Sequence, residues 1–275
     1  RYATGTVLEN LARYRSRLRG VAYFLDDPLP SMFHCSDLSV EYRKKIFRLF
    51  IRHRPALRRL CSEVWVPSRH LLRQYRDDRP VLIHGTPEID WEDGDGWVRL
   101  FYHGTSHHWP EMEWLHPVLR QVQTGREDTH LEIIGDHRVN RLYRDLPRTS
   151  VLHPMSWENY QAHCRSRRLD IGLAPLLDLR FNAARSHSKV FDILRCGAVG
   201  IYADKPPYNR FVKHGETGLL IGDRPEQWRE AIERLLDDRA YLEKLRSGCR
   251  AQYARARAGT VDPEGITRNG HERES

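Results

Sequence analysis

Apolar residues along this chain follow two rhythms, short dense runs that predict strands and three-to-four spacings that predict helices, and the two alternate from end to end. Residues 1–20 carry an amphipathic helical pattern that stops at Gly20. VAYFLDD then predicts a buried strand closing on Asp26 and Asp27, which read either as ligand-facing acids or as a turn-forming Asp-Asp-Pro. In residues 41–60, Ile46, Phe50, Leu57 and Leu60 recur at helical spacing with Phe47 at the edge, and Pro55 has to kink that helix or start a second. SEVWVPS, RHLLRQYR and PVLIHG read strand, helix, strand. The acidic, turn-rich stretch of residues 86–96 predicts a linker.

WVRLFYHGTSHH predicts an apolar strand feeding a Gly-Thr-Ser turn and a helix from Pro110 to Val122. HLEIIGD is the next strand and turn, SVLHPM leads into a segment whose Trp157 is expected in the core, and LDIGLAPLLD is a further strand. From Asn182 a helical pattern runs to Gly197, a usual stop, and passes directly into AVGIYA. Helix followed by buried strand is half of a βαβ unit, so the fold class is α/β. PEQWREAIERLLDD places Trp228, Ile232 and Leu235 or Leu236 on one helical face, and a last helix runs from Arg239 to the region of Ala258. Residues 259–275 hold too few apolar side chains to pack and predict a disordered tail.

Charge changes this picture. The net +8 is uneven: residues 1–80 hold 17 Lys/Arg against 8 Asp/Glu, and the remainder 28 against 29. A basic N-terminal part attracts polyanions, whether nucleic acid, anionic lipid head groups or a phosphorylated lipid. The helix of residues 41–60, with eight Lys/Arg, reads either as resting on an anionic membrane surface or as a core helix with a solvated basic back. Five scattered cysteines without Cys-x-x-Cys spacing predict no disulfide framework and a reducing, cytoplasmic home. No apolar run reaches transmembrane length.

The candidate chemistry centres on residues 181–204. Arg185, Lys189 and Asp192 follow i, i+4, i+7 and share one helix face, while Val190, Ile193 and Leu194 turn the other way. With Ser186 and Ser188 expected in the first turn, unpaired N–H groups and two cations describe an anion site suited to a diphosphate. Asp192, two turns further along, would accept from sugar hydroxyls; the alternative is a solvated charged face. Gly104 lets the backbone approach a ligand, and Thr105 and Ser106 can donate to phosphate. No Gly-x-Gly-x-x-Gly is present. His107, His108, Glu111, Glu113 and His116 lack metal-ligand spacing, so no metal is expected among them.

The segment Asn182, Arg185, Ser186, Lys189, Asp192 and Gly197, together with Gly215, Gly218 and Leu220 of FVKHGETGLLI, resembles the donor-binding region of nucleotide-sugar glycosyltransferases with the two-domain B fold. The resemblance is to the retaining group 1 (family four) enzymes of bacterial surface polysaccharide synthesis. It spans Ile83 to Arg250, and LDIGLAP matches the family's Asp-hydrophobic-Gly-Leu-x-Pro strand. Ala184 stands where the first of two acids is usual, and His107 and His108 where most retaining relatives carry Arg and Lys, as in a subgroup whose turn reads Gly-Thr and then His. The resemblance implies two Rossmann-like domains: 1–92, an N-terminal acceptor-side domain, and 97–258, a C-terminal nucleotide-sugar-binding domain. About three strands in the first, against the usual five or six, imply that it is incomplete and that the chain begins after its opening βα units.

That resemblance implies transfer of a sugar from a nucleotide-sugar donor to a carbohydrate or lipid-linked acceptor, with retention, no metal and no cofactor. Arg185, Lys189 and His108 are expected to stabilise the leaving diphosphate. Gly104, Thr105, Ser186, Ser188 and Asp192 would bind the donor, and the backbone of His153 to Met155 would read the base. A lipid-linked acceptor would bring the chain to the inner face of the cell membrane. The competing readings are a basic module for nucleic acid or membrane, phosphorolysis or epimerisation on the same fold, and an inactive relative that only binds. Nucleic acid is not the expected partner, because no recognised motif is present and the aromatics are not interleaved for stacking.

Overall fold

The computed structural model describes residues 3–36, 38–67, 69–83, 97–104, 108–166, 168–177 and 187–257. They fall into two compact units, one within residues 3–83 and the other formed by residues 97–177 and 187–257. The expected linker and tail lie outside the described residues.

In the first unit α1 (Gly5–Tyr14), capped by the Thr4 hydroxyl, leads into β1 (Ala22–Phe24). A short helix, α2 (Leu29–Phe33), is followed by α3 (Val40–Leu49) and α4 (Arg54–Leu60). Pro55 sits in the first turn of α4, where its missing N–H is not needed, so it starts a second helix. Ile46, Phe50, Leu57 and Leu60 are all buried, so the apolar stripe is core; Phe47, Lys44, Lys45 and Arg48 face solvent. β2 (Glu63–Val66), α5 (Arg69–Gln74) and β3 (Pro80–Leu82) complete a three-stranded parallel sheet in the order β1-β2-β3.

That sheet buries one face. Val64 and Val66 point inward, whereas Phe24, Trp65 and Val81, paired in one cross-strand row, are exposed. β1 is therefore not the fully buried strand its composition predicts, because alternate residues of a strand face opposite sides and only one side is covered. Asp27 belongs to a turn: its carbonyl accepts from Leu29 N–H at 2.9 Å and from the Tyr75 hydroxyl at 2.7 Å. Asp78, buried at the end of this unit, pairs with both Arg54 and Arg58.

The second unit runs β4 (Val98–His103), α6 (Trp109–Gly125), β5 (Thr129–Ile134), α7 (His137–Tyr143), β6 (Thr149–Leu152), α8 (Trp157–Ser166), β7 (Ile171–Ala174), α9 (Ser188–Arg195), β8 (Val199–Ala203), β9 (Leu219–Ile221), α10 (Pro225–Asp237) and α11 (Arg239–Arg257). All six strands are parallel, in the order β6-β5-β4-β7-β8-β9. Numbered along this unit alone, that is the doubly wound order 3-2-1-4-5-6. Trp228, Ile232, Leu235 and Leu236 of α10 are buried together, as their spacing predicts.

Two features of the β7 motif prove structural. Asp170 is buried, accepting from Arg168 at 2.7 Å, from Arg246 of α11 at 2.8 Å and from the Arg99 backbone at 2.9 Å. Gly172 lets α9 press onto the sheet, since a Cβ there would stand 2.5 Å from Ile193 and 2.8 Å from Phe101. Val190, Ile193 and Leu194 fill that contact, each worth roughly 1.5–3 kcal/mol of burial. Gly215 has φ 75°, and its N–H bonds the Gly218 carbonyl at 2.9 Å, closing the Gly-x-x-Gly turn that leads into β9. Among the described residues no helix is long and apolar enough to cross a membrane.

Candidate functional site

In an open parallel sheet the chain ends of neighbouring strands part where the winding reverses, and ligands bind in the crevice beyond their carboxyl ends. Here the reversal lies between β4 and β7, whose following segments lead to α6 and α9. The sequence candidates Gly104, His108, Ser188 and Lys189 come from these two connections.

The structure brings several of them together. Lys189, in the first turn of α9, holds its ammonium 4.9 Å from the centre of the Tyr102 ring near the end of β4. His108, immediately before α6, packs its ring 6.4 Å from the same tyrosine. Gly104 between them has no room for a side chain: a Cβ would meet Tyr102 at 2.8 Å and Met112 at 2.9 Å. Tyr102 is thus the floor on which a cation and an imidazole converge, and it was not among the sequence candidates.

Ser188 is exposed at the first position of α9, so the described helix begins at 188 and Asp192 lies about one turn from that start, not two. Asp192 is half-buried and bonded to Arg195 at 3.0 Å. His153 is exposed and Met155 half-buried in the segment after β6, at the same carboxyl edge of the sheet; the His153 ring lies 5.3 Å from that of His137. Arg185, Ser186 and Thr105, with Asn182, Ala184, Ser106 and His107, lie outside the described residues.

Trp157 is not in the core. It is 55% exposed at the first residue of α8, with Tyr160 at 5.7 Å and the Arg195 guanidinium 4.7 Å from its ring centre. A residue opening a helix at the rim of a layer projects past the sheet it would otherwise pack on.

Behind the crevice the structure gathers a polar group that the sequence reading missed. His103, the last residue of β4, is buried against Glu132 of β5, whose Oε1 accepts from His103 Nε2 at 3.0 Å and from His163 Nε2 at 2.7 Å. His103 Nδ1 lies 3.2 Å from the Tyr160 hydroxyl. Burial pushes the Glu132 carboxyl up, but the two imidazole hydrogen bonds and their charges outweigh it and hold its pKa at about 2. Burial lowers the His103 pKa, with Lys189 and His163 adding to that fall and Glu132 opposing it. Set against the Glu132 carboxylate, which can only accept, His103 Nε2 donates its N–H there. Cys164 and Cys196 close the cluster. The signal was present as a charged Glu inside the apolar run HLEIIGD, a position that buried strands fill only when a partner waits.

No family model matches the sequence, and no curated protein matches it. Solved structures do. HepE of Anabaena, in complex with UDP and glucose, matches with a TM-score of 0.61 at 15% identity, over 92% of this chain and 72% of its own. Sucrose-phosphate synthase of Thermosynechococcus elongatus matches at 0.59 and 14% identity, over 90% and 66%. TarM of S. aureus, solved with UDP, matches at 0.56 and 11% identity, over 88% and 54%. The fold is that of the B-type glycosyltransferases. The six strands described in this unit form one doubly wound sheet, and its crevice is the one lined by Gly104, His108 and Lys189. The chain spans about two thirds of the synthase and about half of TarM.

Proposed function

We propose that this chain transfers a sugar from a nucleotide-sugar donor to a carbohydrate or lipid-linked acceptor. The observation that carries the reading is Lys189, set at the start of α9 over Tyr102 where the strand order reverses. HepE solved with UDP and glucose and TarM solved with UDP support a nucleoside diphosphate as the occupant of such a fold.

Breaking the bond between the anomeric carbon and the phosphate oxygen leaves negative charge on the diphosphate, and fixed cations and donors there lower the barrier most. Lys189 and Arg185 supply the charge, with the first-turn amide at Ser188 and donors from Ser186 and Thr105. His108 meets the same Tyr102 ring as Lys189. The Gly104 backbone admits the phosphates, the backbone of His153 to Met155 reads the base, and Asp192 accepts from the ribose once Arg195 shares it. The second unit binds the donor; the first carries the acceptor side. Metal-free transfer with retention follows the group 1 resemblance, as does a place in surface polysaccharide synthesis. Phe47, exposed among Lys44, Lys45 and Arg48, suits approach to an anionic membrane carrying a lipid-linked acceptor.

Titration with UDP, GDP and ADP tests the reading. One of them binds, and Lys189→Ala and Arg185→Ala each lose most of that affinity. Unchanged binding in both variants rejects the phosphate site. Binding without sugar transfer to any acceptor would leave an inactive relative, and tight, steeply salt-dependent binding of nucleic acid with no nucleotide affinity would favour the basic-module reading.

A further inference from the structure

Three elements meet behind the crevice, and each contributes a side chain that ligates soft divalent metals. Cys164 near the end of α8 and Cys196 just after α9 are both buried, 3% and 4% exposed, with their sulfurs 3.2 Å apart. The ligand atoms of these two cysteines and of His103 all lie within 4.8 Å of one another. In a tetrahedral zinc site with bonds of about 2.0–2.3 Å, neighbouring ligand atoms stand about 3.3–3.8 Å apart. Small side-chain rotations therefore bring the three into place, opening the sulfur pair and drawing in the ring.

The surroundings of His103 match what a metal-bound histidine requires. Its Nε2 is engaged by Glu132, which leaves Nδ1 as the ligand atom, and a carboxylate on the far nitrogen fixes tautomer and orientation in such sites. Glu132 is itself held by His163 at 2.7 Å. Tyr160, whose hydroxyl is 3.2 Å from His103 Nδ1, stands where a fourth oxygen ligand or the water replacing it would sit. Two thiolates cancel the charge of a divalent ion, so the filled site adds no net charge to the core.

We propose that His103, Cys164 and Cys196 bind one zinc ion, with Glu132 as the positioning carboxylate behind His103. The site is structural. It ties the carboxyl end of β4, and with it Gly104, to α8 and to the end of the helix that carries Lys189. It takes no part in sugar transfer, and it does not depend on the glycosyltransferase reading.

The test uses the full chain, reduced, refolded or grown with zinc sulfate and desalted, with bound metal measured by elemental analysis. One zinc per chain is expected, and replacement by cobalt(II) gives the thiolate-to-cobalt charge-transfer absorption of a two-sulfur tetrahedral site. Cys164→Ser and Cys196→Ser each abolish that absorption, whereas Cys61→Ser and Cys249→Ser keep it. Glu132→Gln lowers zinc affinity roughly 10–100-fold without removing the thiolate band. If a ligand variant fails to fold, the cobalt spectrum of the unaltered chain decides alone. Wild-type protein that is folded and reduced yet takes up neither zinc nor cobalt overturns the proposal. So does a spectrum without thiolate ligation, or a Cys164–Cys196 disulfide whose reduced form binds no cobalt.

Discussion

Gly172 and Ile193 touch so closely that a Cβ on the glycine would lie 2.5 Å from the Ile193 side chain. The β7 glycine is thus a spacing element between sheet and helix. Gly172→Ala forces α9 outward and costs about 1–3 kcal/mol, read as a lower urea midpoint. Because Lys189 rides on the same helix, the variant also weakens nucleotide binding. A variant as stable as the parent would mean that α9 adjusts without strain.

Lys189→Ala lowers nucleoside diphosphate affinity about tenfold or more, since a charge-assisted contact contributes about 1.5–3 kcal/mol. Isothermal titration measures it. Lys189→Arg keeps the charge and recovers part of the affinity, and the parent's affinity falls with added salt.

Asp170 collects two guanidinium groups and a backbone N–H inside the second unit. Asp170→Ala leaves the buried Arg246 with the more exposed Glu243, 2.6 Å away, as its remaining carboxylate, so the cost stays at or below the roughly 3–5 kcal/mol of a fully unpaired buried charge. Arg168 is more exposed, so Arg168→Ala costs less. Chemical denaturation of the two variants ranks them, and equal losses would mean that Arg246 draws no more from Asp170 than Arg168 does.

Acid weakens the first unit through Asp78. Burial would raise its pKa, but hydrogen bonds and charge from Arg54 and Arg58 prevail and lower it. A carboxylate depressed in the folded state contributes fully above its unfolded pKa of about 3.9 and loses that contribution as pH falls through the folded value. The melting temperature of the parent therefore drops below about pH 4, and Asp78→Asn, at a cost of about 2 kcal/mol, flattens that drop. An unchanged acid limb in Asp78→Asn would remove Asp78 as its source.

Most of the elements were legible because burial on one face imprints a period on the residues. Ile46, Phe50, Leu57 and Leu60 announce α3 and α4, and Gly197 announces the end of α9. Less legible was which faces stay uncovered. VAYFL reads as fully buried by composition, yet Phe24 is exposed, because hydrophobicity reports what a strand could bury and not what lies opposite. Trp157 misled for the same reason. Tyr102 and the group His103, Glu132, His163, Cys164 and Cys196 were out of reach of spacing, since residues on two strands and at the ends of two helices become neighbours only through the sheet order.

The reversal of winding between β4 and β7 has a bearing on how freely the sequence can vary. A hollow made by the path of the backbone needs no particular side chain to exist, so its whereabouts can outlast the replacement of nearly every residue around it. Chains that share only 11–15% of their amino acids with this one share its fold, so a hollow of this kind tolerates very different surroundings.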